Sequence, residues 1–335
     1  MSVRLSVSGL VLIVLAAGWS AGGQPAPRQR PASEQPVTRE QFERWMTELS
    51  NWGRWGKDDQ LGAANLFTDE TRRNAAALVK AGTNVSLGHD VIMSKAEDAP
   101  NPYVLKMTVN VDRQNATDRF DIDYHGGTFT HFDALCHVAY KNKLYNGFDF
   151  QETVTRDGCS KMGITALKDG VVARGILLDI PRLKGQPYLE PGTRVGRQDI
   201  EAWEKVAGIR IGSGDAMLLR TGRWARRAQA GPRGSSGWDA SFLPFLKERD
   251  VALLGADSAH EAGSIPGVTL PSGGSYPVIH RFTIVARGMN LLDNLDLEAL
   301  AETAARVKRW EFMLVVAPNR VPGATGSPIN PIAMF

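Results

Sequence analysis

Short apolar runs rich in aliphatic and β-branched side chains alternate along this chain with stretches of helical spacing. Val104–Val111, Gly175–Ile180, Ala216–Arg220, Val251–Gly255 and Phe312–Ala317 read as strands. Thr38 followed by Arg-Glu-Gln opens a helix through Leu49, with a capping-box spacing from Thr38 to Gln41. Helical spacing also predicts helices over Thr71–Ala81, Arg197–Ala207, Ala240–Arg249 and Leu297–Val307. This mixture argues an α/β or α+β architecture around a substantial buried sheet. Glycine-rich breaks recur without a fixed period, which excludes a solenoid, and no domain boundary follows residue 39.

The N-terminus has a different character. Arg4 precedes the apolar run Leu10-Val-Leu-Ile-Val-Leu-Ala-Ala17, and Ala21-Gly-Gly23 offers small residues for cleavage. Residues 1–23 therefore read as a secretory signal peptide, because the run is too short to span a bilayer. Residues 24–38 carry four prolines and almost no large apolar groups, as a disordered tether would. The expected location is periplasmic or secreted, with no membrane association after signal cleavage.

Composition adds limits rather than identity. The chain of 335 residues is 43% hydrophobic and 22% charged, with a net charge of +3. No dense Lys/Arg stripe with interleaved aromatics is present, so nucleic acid is not an expected partner. The locally basic Arg220–Arg233 segment could attract an anion, or serve as a solvated loop or subunit contact. Cys136 and Cys159 allow at most one internal disulfide, which export permits and sequence alone does not establish. Cys136, beside His137, could instead be a metal ligand or a small buried residue.

The chemistry concentrates in Tyr124-His-Gly-Gly-Thr-Phe-Thr-His-Phe-Asp-Ala-Leu-Cys-His137, which holds three of the six histidines and a carboxylate. Imidazoles and a carboxylate hold a divalent ion, which lowers the pKa of a bound water to about 7. His131 and Asp133 are two apart, so an extended backbone points them the same way. His137 falls one turn beyond Asp133 if a helix begins there, as a ligand or a proton carrier. His125 reaches the same place only if Gly126-Gly127 lets the chain fold back. Thr128 and Thr130 could hydrogen-bond a ligand or a water. Far downstream, Tyr276-Pro-Val-Ile-His280 and Asp293-Asn-Leu-Asp-Leu-Glu298 could complete a coordination shell, or be a core histidine and a helix cap.

Together these segments resemble the metal-dependent cyclase family, which includes bacterial kynurenine formamidases and isatin hydrolases. The family signature runs His-x-Gly-Thr-His-x-Asp-x-x-x-His, and Thr130–His137 is similar to its second half with the same spacing. Trp52-Gly and Trp55-Gly-Lys-Asp-Asp-Gln-Leu-Gly-Ala-Ala-Asn65 resemble the opening motif of the longer branch. Arg174–Asp179, Gly214–Gly222 and Pro277–Leu295 are similar to later core and metal motifs. The chain departs twice: Gly127 stands where the family has its first histidine, and Asp293 stands where it has glutamate.

The resemblance implies a swivelling β/β/α cyclase-like single domain over 39–335, assembled as a homodimer or homotetramer. It implies His131, Asp133, His280 and Asp293 as metal ligands for one or two Zn or Mn ions per subunit, with His125 joining through a two-residue bulge. His137 is implied as catalytic acid/base. Trp52, Trp55 and Phe132 are candidates for an aromatic substrate wall. The expected activity is hydrolysis of the C–N bond of an aryl formamide or cyclic amide, through metal-bound hydroxide. Hydrolysis of a lactone or cyclic ester, non-catalytic metal or ligand binding, and a purely structural metal are the competing expectations.

Overall fold

The aliphatic runs pair into a nine-stranded sheet in a computed structural model that describes residues 36–270, 272–273 and 276–335. The predicted signal peptide, and the tether as far as residue 35, lie outside the described residues. At its C-terminal end the predicted tether is already folded: Val37 is buried and Thr38 caps the first helix.

The sheet strands are β1 (Asn84–Ser86), β4 (His131–Asp133), β5 (Val171–Asp179), β6 (Ala216–Arg220), β7 (Leu253–Ala256), β8 (Leu291–Asp293), β9 (Glu311–Val316), β10 (Gly326–Pro328) and β11 (Ile332–Met334). Their order is β1-β11-β9-β5-β6-β7-β8-β4-β10. Four neighbours, β5, β6, β7 and β8, are parallel. Every residue of β6 and β7 is buried, the pattern of parallel strands covered on both faces. This mixed α/β architecture agrees with the predicted fold class.

Helix α1 (Arg39–Glu48) begins as predicted, with Thr38 Oγ1 accepting the Gln41 N–H at 3.2 Å. Helix α2 (Asp69–Ala76) starts earlier than predicted because Thr68 accepts the Thr71 N–H and Asp69 and Glu70 occupy the first turn. Helix α3 (Arg197–Ala207) has the predicted bounds and buries Ile200 and Trp203. The Trp203 indole N–H donates to Leu177 O at 2.7 Å, which ties the helix to β5. Helix α5 (Leu243–Glu248) covers only the second half of the predicted 240–249 span, after a 3₁₀ turn at Ala240–Phe242. Helix α6 (Glu298–Val307) closes the set.

The basic segment is not a solvated loop. It ends β6 and forms helix α4 (Arg223–Ala230), and its charges are answered locally. Arg220 pairs with Asp179 at 2.7 Å and Glu298 at 2.6 Å, while Arg223 and Arg227 both meet Asp98.

Strands β2 (Val104–Asn110) and β3 (Asn115–Asp121) pair only with each other, and every residue in both is exposed. Leu105, Met107, Val109 and Phe120 lie on one face of this hairpin.

Candidate metal centre

Two three-residue strands build the centre. Strands β4 and β8 are antiparallel neighbours, and their register sets His131 opposite Asp293. Opposed residues share a face of the sheet, so both side chains are delivered to one place. Asp133, two residues along β4, points the same way. Phe132 between them points to the other face, where it is fully buried in the core. Strand alternation therefore corrects the expectation that Phe132 lines a substrate pocket.

Five of the six histidines converge on these two carboxylates. Asp133 Oδ1 lies 3.1 Å from His125 Nδ1 and 3.6 Å from His131 Nε2. Its Oδ2 lies 3.7 Å from His280 Nε2 and 3.9 Å from His137 Nε2. Asp293 Oδ2 lies 3.4 Å from His280 Nε2 and 3.8 Å from His131 Nε2, and its Oδ1 lies 3.0 Å from His260 Nε2. Asp133 thus stands between two donor groups, His125 with His137 and His131 with Asp293.

The loop geometry accounts for each imidazole. His125 comes back to Asp133 because Asn294 Nδ2 donates to Gly126 O and to Phe129 O, and Arg223 donates to Gly127 O at 2.9 Å. Gly127 is required there, since a Cβ would stand 2.6 Å from Asp98 O. Residues 134–137 form a turn, not the helix entertained from sequence, with the His137 N–H donating to Ala134 O at 3.0 Å. That turn stacks the His137 ring on His125 at 3.9 Å between centroids. Thr130 faces away from the centre and donates its hydroxyl to Asn294 O at 2.8 Å.

Each candidate ligand presents one nitrogen inward and anchors the other. His131 Nδ1 bonds Phe129 O at 2.9 Å, His280 Nδ1 bonds Glu261 Oε2 at 2.9 Å, and His125 Nε2 meets Thr325 Oγ1 at 2.9 Å. Such partners fix ring orientation and tautomer, as metal-binding histidines require. The inward atoms are left over: both oxygens of Asp133, Asp293 Oδ1 and His125 Nδ1 are buried with no aligned hydrogen-bond partner. Burying carboxylates without partners is costly, and a divalent cation is the group that satisfies such a set. The residues present fit one.

The chain matches the Cyclase family model over residues 83–260, just over half its length. It belongs to the Cyclase family. The matched stretch holds the loop from His125 to His137 and reaches His260, ending before His280 and Asp293. A crystal structure described as a novel cyclase is similar at 29% identity and a TM-score of 0.74, covering 86% of this chain and 100% of its own. Isatin hydrolase A from Labrenzia aggregata shares the fold at 18% identity and a TM-score of 0.54, covering 78% of this chain and 95% of its own. The enzyme of that name from Ralstonia solanacearum does so at 19% and 0.50, covering 75% and 91%. No curated protein matches by sequence.

In this cyclase-family chain the electrostatics separate the imidazoles. Burial dominates at His137 and pushes its pKa down to about 4, against the pull of Asp133, so the ring is neutral near pH 7. Burial also opposes charge on His280, but Glu261 and Asp293 outweigh it and hold its pKa well above the usual value. For Asp293, burial favours the neutral acid, yet His280 and His260 hold the carboxyl well below its ordinary range. Asp133 is lowered too, by His137, His125 and His131 acting against burial.

Beside the centre opens a cavity of about 560 Å³, lined by His137, Glu43, Tyr140, Phe150, Tyr276 and Arg281 among others. Neither predicted tryptophan lines it. The Trp52 indole N–H donates to Val285 O at 2.7 Å, and the Trp55 ring lies under the Arg54 guanidinium at 4.5 Å. The aromatic wall comes instead from tyrosines and Phe150. His260 and Glu261 also escaped the sequence reading, although an adjacent His-Glu pair just after strand β7 was the available signal. Cys136 is bonded to Cys159, which removes it from the possible ligands.

Proposed function

We propose that this protein is a metal-dependent hydrolase that opens the C–N bond of an aryl formamide or a cyclic amide. The observation that carries the reading is the buried pair Asp133 and Asp293, whose oxygens, both of Asp133 and Oδ1 of Asp293, lack aligned hydrogen-bond partners among the imidazoles that ring them, beside an aromatic-walled cavity. His125, His131, Asp133, His280 and Asp293 would hold one or two Zn or Mn ions, and such an ion supplies Lewis acidity and an acidified water.

The chain's own groups do the rest. His137, neutral and on the cavity wall, accepts a proton from the attacking water and returns it to the leaving nitrogen. Tyr140 and Tyr276 meet edge to face at 5.8 Å and offer flat apolar contact to an aryl ring. Arg281, over Tyr276 at 4.9 Å, places a cation in the same cavity for a carboxylate on substrate or product. The isatin hydrolases of like fold carry a name that sets a cyclic amide among the compounds to test.

The Cys136–Cys159 disulfide supports an exported, oxidising location, periplasmic or secreted, in keeping with the predicted signal peptide. The exposed apolar face of the β2–β3 hairpin supports a homo-oligomer.

The test is a substrate panel on protein loaded with Zn²⁺ or Mn²⁺: N-formylkynurenine, isatin, small cyclic imides and small lactones. Turnover of amides above lactones supports the reading. Turnover of lactones alone replaces it with cyclic ester hydrolysis, and turnover of none leaves a metal-binding protein without this activity.

A further inference from the structure

His260 differs from the three imidazoles read as ligands, His125, His131 and His280. It is fully buried, and neither ring nitrogen has an aligned hydrogen-bond partner among the described residues. His131, His280 and His125 each anchor one nitrogen on a protein group, whereas His260 anchors none. Its Nε2 lies 3.0 Å from Asp293 Oδ1, the carboxylate oxygen turned away from His131 and His280.

The backbone at His260 is costly to hold. Its φ is 63°, a left-handed conformation that a non-glycine residue adopts at a cost on the order of 1 kcal/mol or more. The Trp238 N–H donates to His260 O at 2.8 Å and fixes the turn from outside. Gly237 allows that approach, since a Cβ there would stand 2.3 Å from His260 O. Strain of this kind, enforced from a neighbouring strand and delivering a buried ring to one carboxylate oxygen, points to a role at that oxygen.

We propose that His260 is a positioning residue for the metal centre. Its Nε2–H holds Asp293 Oδ1 and thereby fixes Oδ2 toward His131 and His280, where an ion would sit. The distance is that of a hydrogen bond, and a small turn of either group aligns it. The inference rests on the reading of Asp293 as a carboxylate that binds metal. Ligating carboxylates are themselves hydrogen-bonded, and loss of such a partner typically costs 10- to 100-fold in metal affinity.

The experiment compares wild type, His260→Leu and His260→Gln. It measures Zn²⁺ and Mn²⁺ affinity by chelator competition, the melting temperature of the metal-free protein, and spin-echo spectra of the Mn²⁺-loaded protein. His260→Leu should weaken binding by roughly 10- to 100-fold in metal-free protein that still melts cooperatively. His260→Gln, which keeps an N–H donor near the Nε2 position, should recover most of the affinity, with the imidazole signals of wild type. Wild-type affinity in His260→Leu would overturn the proposal, and so would loss of one imidazole signal in His260→Gln, because His260 would then be a ligand. A wild type that binds neither ion would remove the reading of Asp293 itself, and this inference with it.

Discussion

The rings of His125 and His137 lie parallel, 3.9 Å between centroids and 7° between planes, with both facing Asp133. Twelve positions of sequence separate them, and the fold makes them one unit. On the proposed reading His125 acts in two ways, offering Nδ1 to an ion and setting the face of His137. His125→Ala should lower metal affinity by at least about 10-fold and reduce turnover further than the metal loss explains. Titration with Zn²⁺ at saturating substrate separates the two effects. Unchanged affinity would remove His125 from the ligand set.

Asp133 shows the opposite balance between stability and function. Its two oxygens are buried without hydrogen bonds, so the metal-free protein gains nothing from their charge beyond the neighbouring imidazoles. Asp133→Asn should abolish tight metal binding while the metal-free melting temperature falls only modestly, by what the neighbouring imidazoles gain from the charge. A marked fall in that melting temperature would mean that Asp133 is held for structure.

The pH dependence follows from His137. Its folded pKa of about 4 lies below the ordinary 6.5, so between those values the unfolded chain binds a proton that the folded chain does not. The stability contributed by the neutral ring is present above about pH 6.5 and is lost as pH falls toward 4. The difference amounts to roughly 3 kcal/mol at most for this residue. Urea unfolding of metal-free protein across that window should show the slope, and His137→Gln should flatten it. His280, with a raised pKa, works in the other direction and favours the folded state more as pH drops below its folded value.

The disulfide closes a 23-residue separation and ties the turn that carries His137 to the segment beside Gly323. A loop of that size corresponds to about 3 kcal/mol of stability. Reduction, or paired Cys136→Ala and Cys159→Ala changes, should lower the denaturant midpoint accordingly. Mass spectrometry of alkylated protein checks first that the bond is present in wild type.

Charge on the hairpin probes assembly. Val109 is 68% exposed on the apolar face of β2. Val109→Lys should shift a homo-oligomer toward smaller species in sedimentation velocity, and an unchanged distribution would place the interface elsewhere.

The sequence was most legible where periodicity is long. Helix α3 and strand β6 have the predicted bounds because an eleven-residue amphipathic stretch and a wholly buried run leave little ambiguity. Strands β4 and β8, three residues each, carry no readable period, yet they bring the centre together. Strand β3 was hidden for another reason: Asn115–Asp121 is polar because both of its faces meet solvent. At the site, spacing alone paired His131 with Asp133. Nothing local could bring in His260, whose place depends on a crossing with Gly237–Trp238. Trp52, Trp55 and Phe132 do not line the cavity beside the centre, since aromatic residues serve cores and surfaces as readily as pockets.

Removal and return of metal tests the account most directly. Protein stripped with a chelator, then measured by inductively coupled plasma mass spectrometry and assayed on the amide panel, should hold no ion and show no turnover. Added Zn²⁺ or Mn²⁺ should restore both, with one or two ions bound per chain. Full hydrolysis by the stripped protein, or failure of the wild-type centre to retain any divalent ion, would contradict the account.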